Sequence, residues 1–140
     1  MEQALRFQED GADILDIGAE STRPGFEQVS EEEELKRLIP ALEAIASKVN
    51  LPVSVDTYKA AVARRAVDAG AIIINNIWGL KAEPDLARVA ADTGVGLILM
   101  HNQKGTEYAN LIPDLISSLK ISVELSLIPI RPSTRRPPFT

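Results

Sequence analysis

The chain has 140 residues, 45% of them hydrophobic and 25% charged, which suits a single globular domain. Its net charge of -5 argues against a nucleic-acid or anionic-membrane partner, because either would call for a basic face. With no cysteine there is no disulfide, no thiolate metal site and no thiol nucleophile.

The opening stretch, MEQALRFQEDGAD, has neither the basic start nor the apolar core of a secretory signal. The longest apolar run, Gly94 to Met100, is far shorter than a membrane span. A cytoplasmic protein is expected. A first helix is predicted to stop at Asp10-Gly11, since glycine adopts the left-handed conformation that ends a helix. The apolar run that follows, within EDGADILDIG, reads as a buried strand. The loop after it, Asp16 to Gly25, offers Ser21, Thr22, Arg23 and backbone N–H groups that together could hold an anion. From its composition alone, an ordinary turn is an equal reading.

Ser30 to Glu33 reads as a capping box opening the next helix. The four glutamates Glu31 to Glu34 are expected on a solvated helix start favoured by the dipole. Leu35, Leu38, Ile39, Leu42, Ile45, Ala46 and Val49 give that helix one apolar stripe, with a kink or restart predicted at Pro40. Asn50 can terminate it. A second strand, LPVSVD, ends on Asp56, and Thr57 is predicted to cap a helix over 58–69, whose Arg64 and Arg65 face solvent. The third strand, in DAGAIIINN, ends on Asn75-Asn76, and a helix is predicted over 84–92. The fourth strand, in DTGVGLILMHN, ends on Met100-His101, and a last helix starts near Asn110 with Pro113 in its first turn. His101 is the only histidine and reads as a hydrogen-bonded structural residue; Trp78 reads as a packing residue. Residues 126–140, ending in PIRPSTRRPPFT, read as a divergent Pro/Arg-rich tail that is disordered.

One helix followed by four strand–helix units makes an α/β protein with a parallel sheet. An open doubly wound sheet and a closed barrel both fit that pattern. A closed eight-stranded barrel takes roughly 250 residues, so four units amount to half of one. Ligands in either architecture bind at the carboxyl ends of strands. Asp56 there can accept hydrogen bonds from a ligand's N–H groups, and Asn75-Asn76 can both donate and accept, as a heterocycle edge requires. No P-loop, zinc spacing, nucleophile elbow or dinucleotide fingerprint occurs.

GADILDIGAESTRPG is similar to the signature of the dihydropteroate synthase family, and LPVSVDTYK, GAIIINNIWGL and LILMHN resemble its next three strands in order and spacing. The likeness runs to about Glu124. It implies parallel (β/α) units forming about half of a TIM (β/α)8 barrel over residues 1–125. It also implies an enzyme that condenses 6-hydroxymethyl-7,8-dihydropterin diphosphate with 4-aminobenzoate, releasing diphosphate. Carried over by position, Asp56 and Asn75 match pterin-binding residues, and Met100 a residue of the pterin pocket wall. Thr22 and Arg23 match residues that meet the diphosphate substrate and shape the aminobenzoate site, with Arg23 the catalytic candidate. The resemblance further implies Mg2+, whose ligands would lie outside this sequence, and a homodimer at full length. Three positions depart from the family pattern: Asn76 stands where aspartate is usual, Ile72 where histidine is common, and Gly96 where proline is common. A catalytically inactive fragment and a related pterin-binding methyltransferase domain are the alternatives.

Overall fold

The structure, a computed structural model, describes residues 1–21 and 27–128. In chain order these form α1 (Glu2–Glu9), β1 (Leu15–Gly18), α2 (Glu31–Ala46), β2 (Val53–Asp56), α3 (Ala60–Asp68), β3 (Ile73–Asn76), α4 (Leu86–Thr93), β4 (Gly96–Leu99) and α5 (Leu111–Leu127). The strands make one sheet in the order β1-β2-β3-β4, and every neighbouring pair is parallel. Sequential strands are therefore spatial neighbours, as expected when a helix carries each strand back to the same end of the sheet.

The core lies on one side of that sheet. Leu15, Val53, Val55 and Ile74 are buried against Leu38 and Leu42 of α2, Val62, Ala63 and Ala66 of α3, and Leu86 of α4. Side chains alternate along a strand, so Asp16, Gly18, Ser54, Asp56, Ile73, Asn75 and Ile98 occupy the other face. No second layer covers that face among the described residues, and Ile98 and Met100 stay 43% and 44% exposed. The polar rim and the apolar core are thus on opposite faces of the same four strands.

Several local expectations are met. Ser30 caps α2 by accepting from the Glu33 N–H at 3.2 Å. Gly94 ends α4 with φ 72°, in the left-handed region where a Cβ would be strained. Others are corrected. The Glu33 carboxylate does not complete the capping box but takes Arg37 Nε at 2.8 Å, one turn on. Pro40 lies inside a helix that runs unbroken to Ala46, where C-capping falls to Ser47; Asn50 is not left-handed, and its N–H goes to Gln8 Oε1 at 2.7 Å. The helix after β2 starts at Ala60 with Lys59 as N-cap, so Thr57 does not cap it. Thr57 instead accepts from the Lys59 N–H within a tight turn. Glu34 is not solvated: it is 1% exposed. It sits four residues before Leu38 and eight before Leu42, on the face that α2 turns to the core.

Candidate functional site

Asp56 ends β2, and its register partners are Gly18 on β1 and Asn75 on β3. The register follows from the apolar alternation of all three strands: Leu15, Val53, Val55 and Ile74 must share the buried face, which sends Asp16, Asp56 and Asn75 to the other. Asn75 Nδ2 donates to Asp16 Oδ2 at 3.0 Å, fixing which end of the amide points where. The Asn75 Oδ1 is thereby left as an acceptor beside the Asp56 carboxylate. Gly18 keeps this corner open, since a Cβ there would touch Asp56 Cβ at 3.4 Å. Ser54, in register with Asp16 and Ile73, is buried, and its hydroxyl has no partner among the described residues.

The Asp56 carboxyl is pushed up to about 6. Burial contributes most, followed by the like charges of Asp16 on the open face and Glu34 behind. Its carboxylate receives no hydrogen bond from the described residues. A half-buried carboxylate facing two like charges is poised to accept N–H donors from a ligand, which would relieve its desolvation.

Behind Asp56 lies a nearly buried ionic cluster. Lys59 Nζ donates to Glu34 Oε2 at 2.6 Å, Glu20 Oε2 at 2.5 Å and the Val29 carbonyl at 2.5 Å. Thr57 Oγ1 donates to the other Glu34 oxygen at 2.8 Å, and Tyr58 Oη donates to Glu20 Oε1 at 3.0 Å. Burial pulls the Lys59 ammonium down, but the hydrogen bonds it donates to Glu20 and Glu34 outweigh this and leave the group above its ordinary value.

Next to this, Asn76 is fully buried at the end of β3, and its Oδ1 accepts from the Trp78 and Leu80 N–H groups at 2.9 and 3.3 Å. The turn it holds contains Leu80, at φ 66°, and Gly79, at φ 57°. A Cβ on Gly79 would run into Ser122 Oγ of α5 and lie 2.8 Å from the Met100 carbonyl. The Asn76 Nδ2 has no partner among the described residues. An aspartate, usual here in the resembled family, would keep both accepted bonds without that stranded donor.

Of the sequence-predicted residues, Asp56 and Asn75 are brought together, and Met100 follows β4 on the same open face, its N–H bonded to the Asn76 carbonyl. Thr22 and Arg23 lie outside the described residues. His101 is held as a structural residue, with Nδ1 2.7 Å from Ser118 Oγ and Nε2 3.0 Å from Tyr108 Oη. Trp78 is half-buried and borders an open groove of about 430 Å³ with Tyr58, Lys81 and Lys104. Arg65 is exposed as expected, whereas Arg64 pairs with Asp92 at 3.0 Å. Sequence reading missed Asp16 as a site residue, although its place between Leu15 and Ile17 was the available signal. It also missed the Glu20–Lys59–Glu34 cluster, whose members are 14 or more positions apart with no local pattern linking them.

Residues 1–126 match the family model described as pterin binding enzyme. The chain is 52% identical over 118 residues to a dihydropteroate synthase of Clostridium beijerinckii, covering 84% of this chain and 44% of that one. It is 54% identical over 124 residues to the dihydropteroate synthase of Bacillus subtilis, covering 89% and 44%. Among solved structures it is similar to a dihydropteroate synthase from Clostridium difficile, determined in the presence of pteroic acid. That match has a TM-score of 0.88 and 36% identity, over 91% of this chain and 49% of the other. A Xanthomonas albilineans dihydropteroate synthase with 4-aminobenzoic acid matches with a TM-score of 0.83 and 40% identity, over 91% and 46%. The chain thus spans about half the length of the relatives it matches, and its four parallel β/α units superpose as half of their barrel. With a family model covering nearly all of the described residues and the same strand order in space, the chain belongs to the pterin-binding enzymes.

Proposed function

We propose that this chain supplies the pterin-holding part of a dihydropteroate synthase, the enzyme that joins 6-hydroxymethyl-7,8-dihydropterin diphosphate to 4-aminobenzoate with loss of diphosphate. The observation that carries this reading is the register pairing of Asp56 with Asn75 at the carboxyl end of the sheet. A pterin presents an amino group and a ring N–H on one edge and a carbonyl and ring nitrogens beside them. A carboxylate facing the two donors, with an amide alongside, matches that edge. Asp16 supports the fit by holding the Asn75 amide in one orientation. Met100, exposed on the same face, would lie against the ring as an apolar wall. Thr22 and Arg23 would meet the diphosphate-bearing end, Arg23 stabilising charge as it moves onto the leaving group.

The four strands present these groups on a face that nothing covers among the described residues. In an open, watery site hydrogen bonds discriminate weakly, so we expect the 140-residue chain to bind a pterin without turning over. The Mg2+ implied by the resemblance finds no group of three His, Asp or Glu side chains able to hold it among the described residues, and no step is assigned to it. No helix among the described residues is long and apolar enough to cross a membrane, and small-molecule chemistry in the cytoplasm is the setting we assign. Homodimerisation belongs to the same reading; the exposed Ile112, Ile116, Leu119 and Val123 of α5 are an apolar surface such contact could bury.

The test is titration of the chain with 6-hydroxymethylpterin, followed by its own fluorescence. Saturable binding that Asp56→Asn and Asn75→Leu each weaken by about tenfold or more is the expected result. Binding equally strong in both variants would remove the assignment. An assay with both substrates and magnesium addresses turnover directly, and dihydropteroate formed by this chain alone would contradict the binding-only expectation.

A further inference from the structure

One buried ammonium joins separate stretches of chain, and pterin recognition does not use it. All three hydrogens of Lys59 Nζ have acceptors: Glu34 Oε2, Glu20 Oε2 and the Val29 carbonyl. Glu20 and Val29 lie at the two ends of the connection between β1 and α2. Glu34 lies in the first turn of α2 and is held again by Thr57. The side chains of Lys59, Glu20 and Glu34 are only 11%, 4% and 1% exposed, so the pairing is removed from water.

This cluster is a poor device for stability alone. Two carboxylates share one cation, and taking charges out of water carries a desolvation cost that apolar packing of the same volume would not incur. What the geometry achieves is convergence: one nitrogen places both ends of a long connection against the turn after β2. That turn also carries Asp56, three residues before Lys59. Carboxylate and anchor are therefore opposite ends of one short, hydrogen-bonded segment.

We propose that Lys59 is a positioning residue that pins both ends of the β1–α2 connection to the Asp56-bearing turn. Only the purpose of that connection rests on the proposed function; the pinning itself is tested without any ligand. Backbone 15N relaxation is compared for the 140-residue chain and its Lys59→Met and Lys59→Arg variants. Methionine keeps the apolar stem and removes the charge. In Lys59→Met the order parameters of Glu20 and Val29 are expected to fall from roughly 0.85 to below about 0.6, with Val53–Asp56 and Ile73–Asn76 unchanged. In Lys59→Arg, a cation still within reach of both carboxylates restores order at Glu20. Unchanged order at Glu20 and Val29 in folded Lys59→Met overturns the proposal, as does a loss spread evenly through β2 and β3. If Lys59→Met does not fold, Glu20→Gln leaves the Lys59–Glu34 pair intact and is expected to release the Glu20 end alone; order retained there overturns it equally.

Discussion

Asp56→Asn separates what the site needs from what the fold prefers. In the folded chain the Asp56 carboxyl is pushed from 3.8 to about 6 by burial and by the charges of Asp16 and Glu34. The folded state therefore holds this proton more tightly than the unfolded chain does. Its contribution to stability is complete below pH 3.8 and is lost as pH rises through about 6. A shift of about two units corresponds to roughly 3 kcal/mol, and screening at a half-buried site open to solvent reduces this to about 1–2 kcal/mol. Asparagine keeps the shape and removes the charge. The variant should gain about 1–2 kcal/mol over the parent at pH 7.5 and close to nothing at pH 4. Urea unfolding of both proteins at both pH values measures this directly, with the slope checked for constancy. A gain of equal size at the two pH values would show that packing, not ionisation, is responsible. A loss at pH 7.5 would mean that the carboxylate is held by favourable contacts, contrary to the reasoning. The same variant should bind pterin about 10–100-fold more weakly, the usual worth of a hydrogen bond to a charged group. A stabilised fold with a weakened site is the expected signature of a residue kept for binding.

Removing the neighbouring charge should act on Asp56 from a distance: in Asp16→Asn, NMR titration should find the Asp56 carboxyl below its parent value of about 6, and an unmoved midpoint would discount the coupling. If pterin N–H groups bind the ionised form, affinity should be full above about pH 6 and weaken about tenfold per unit below it; a flat profile from pH 7 to 5 would argue for a neutral acceptor. Glu34→Ala leaves Lys59 short of a buried partner and should cost about 3–5 kcal/mol in thermal or urea unfolding, whereas a cost under about 1 kcal/mol, the level of a surface pair, would show the cluster to be solvated. Gly79→Ala meets both a left-handed backbone and the Met100 carbonyl and should lose about 2 kcal/mol or more. Adding Ser122→Ala should restore only part of that loss, and full recovery would place the strain in the Ser122 contact alone.

The strands were legible because parallel strands are short, branched apolar runs, and glycines at positions 11, 70 and 94 mark where three of the four begin. The burial on both faces that such runs suggest is not met, since only one face of the sheet is covered among the described residues. Asp56 and Asn75 stood out because each polar residue follows such a run directly. Glu34 was misread because the local sequence, four glutamates after a cap, is that of a solvated helix start; only its spacing from Leu38 and Leu42 hinted otherwise. Thr57 was misread for a similar reason, since a hydroxyl before a helix serves equally as a cap or as a turn acceptor. Which of the two it becomes depends on Glu34, 23 residues away, accepting a hydrogen bond from its hydroxyl.

The sequence by itself determined the alternation of strands and helices, the apolar stripe that α2 turns to the core and the type of residue offered at the sheet's carboxyl end. These follow from periodicity, which is local. Tertiary structure alone decided that Asn75 donates across to Asp16, that burial together with Asp16 and Glu34 raises Asp56, and that Lys59 gathers Glu20, Val29 and Glu34 around one charge. The physical reason is that electrostatic and hydrogen-bonded partners are chosen by distance in space, and the strand register that sets those distances is fixed only when the core closes.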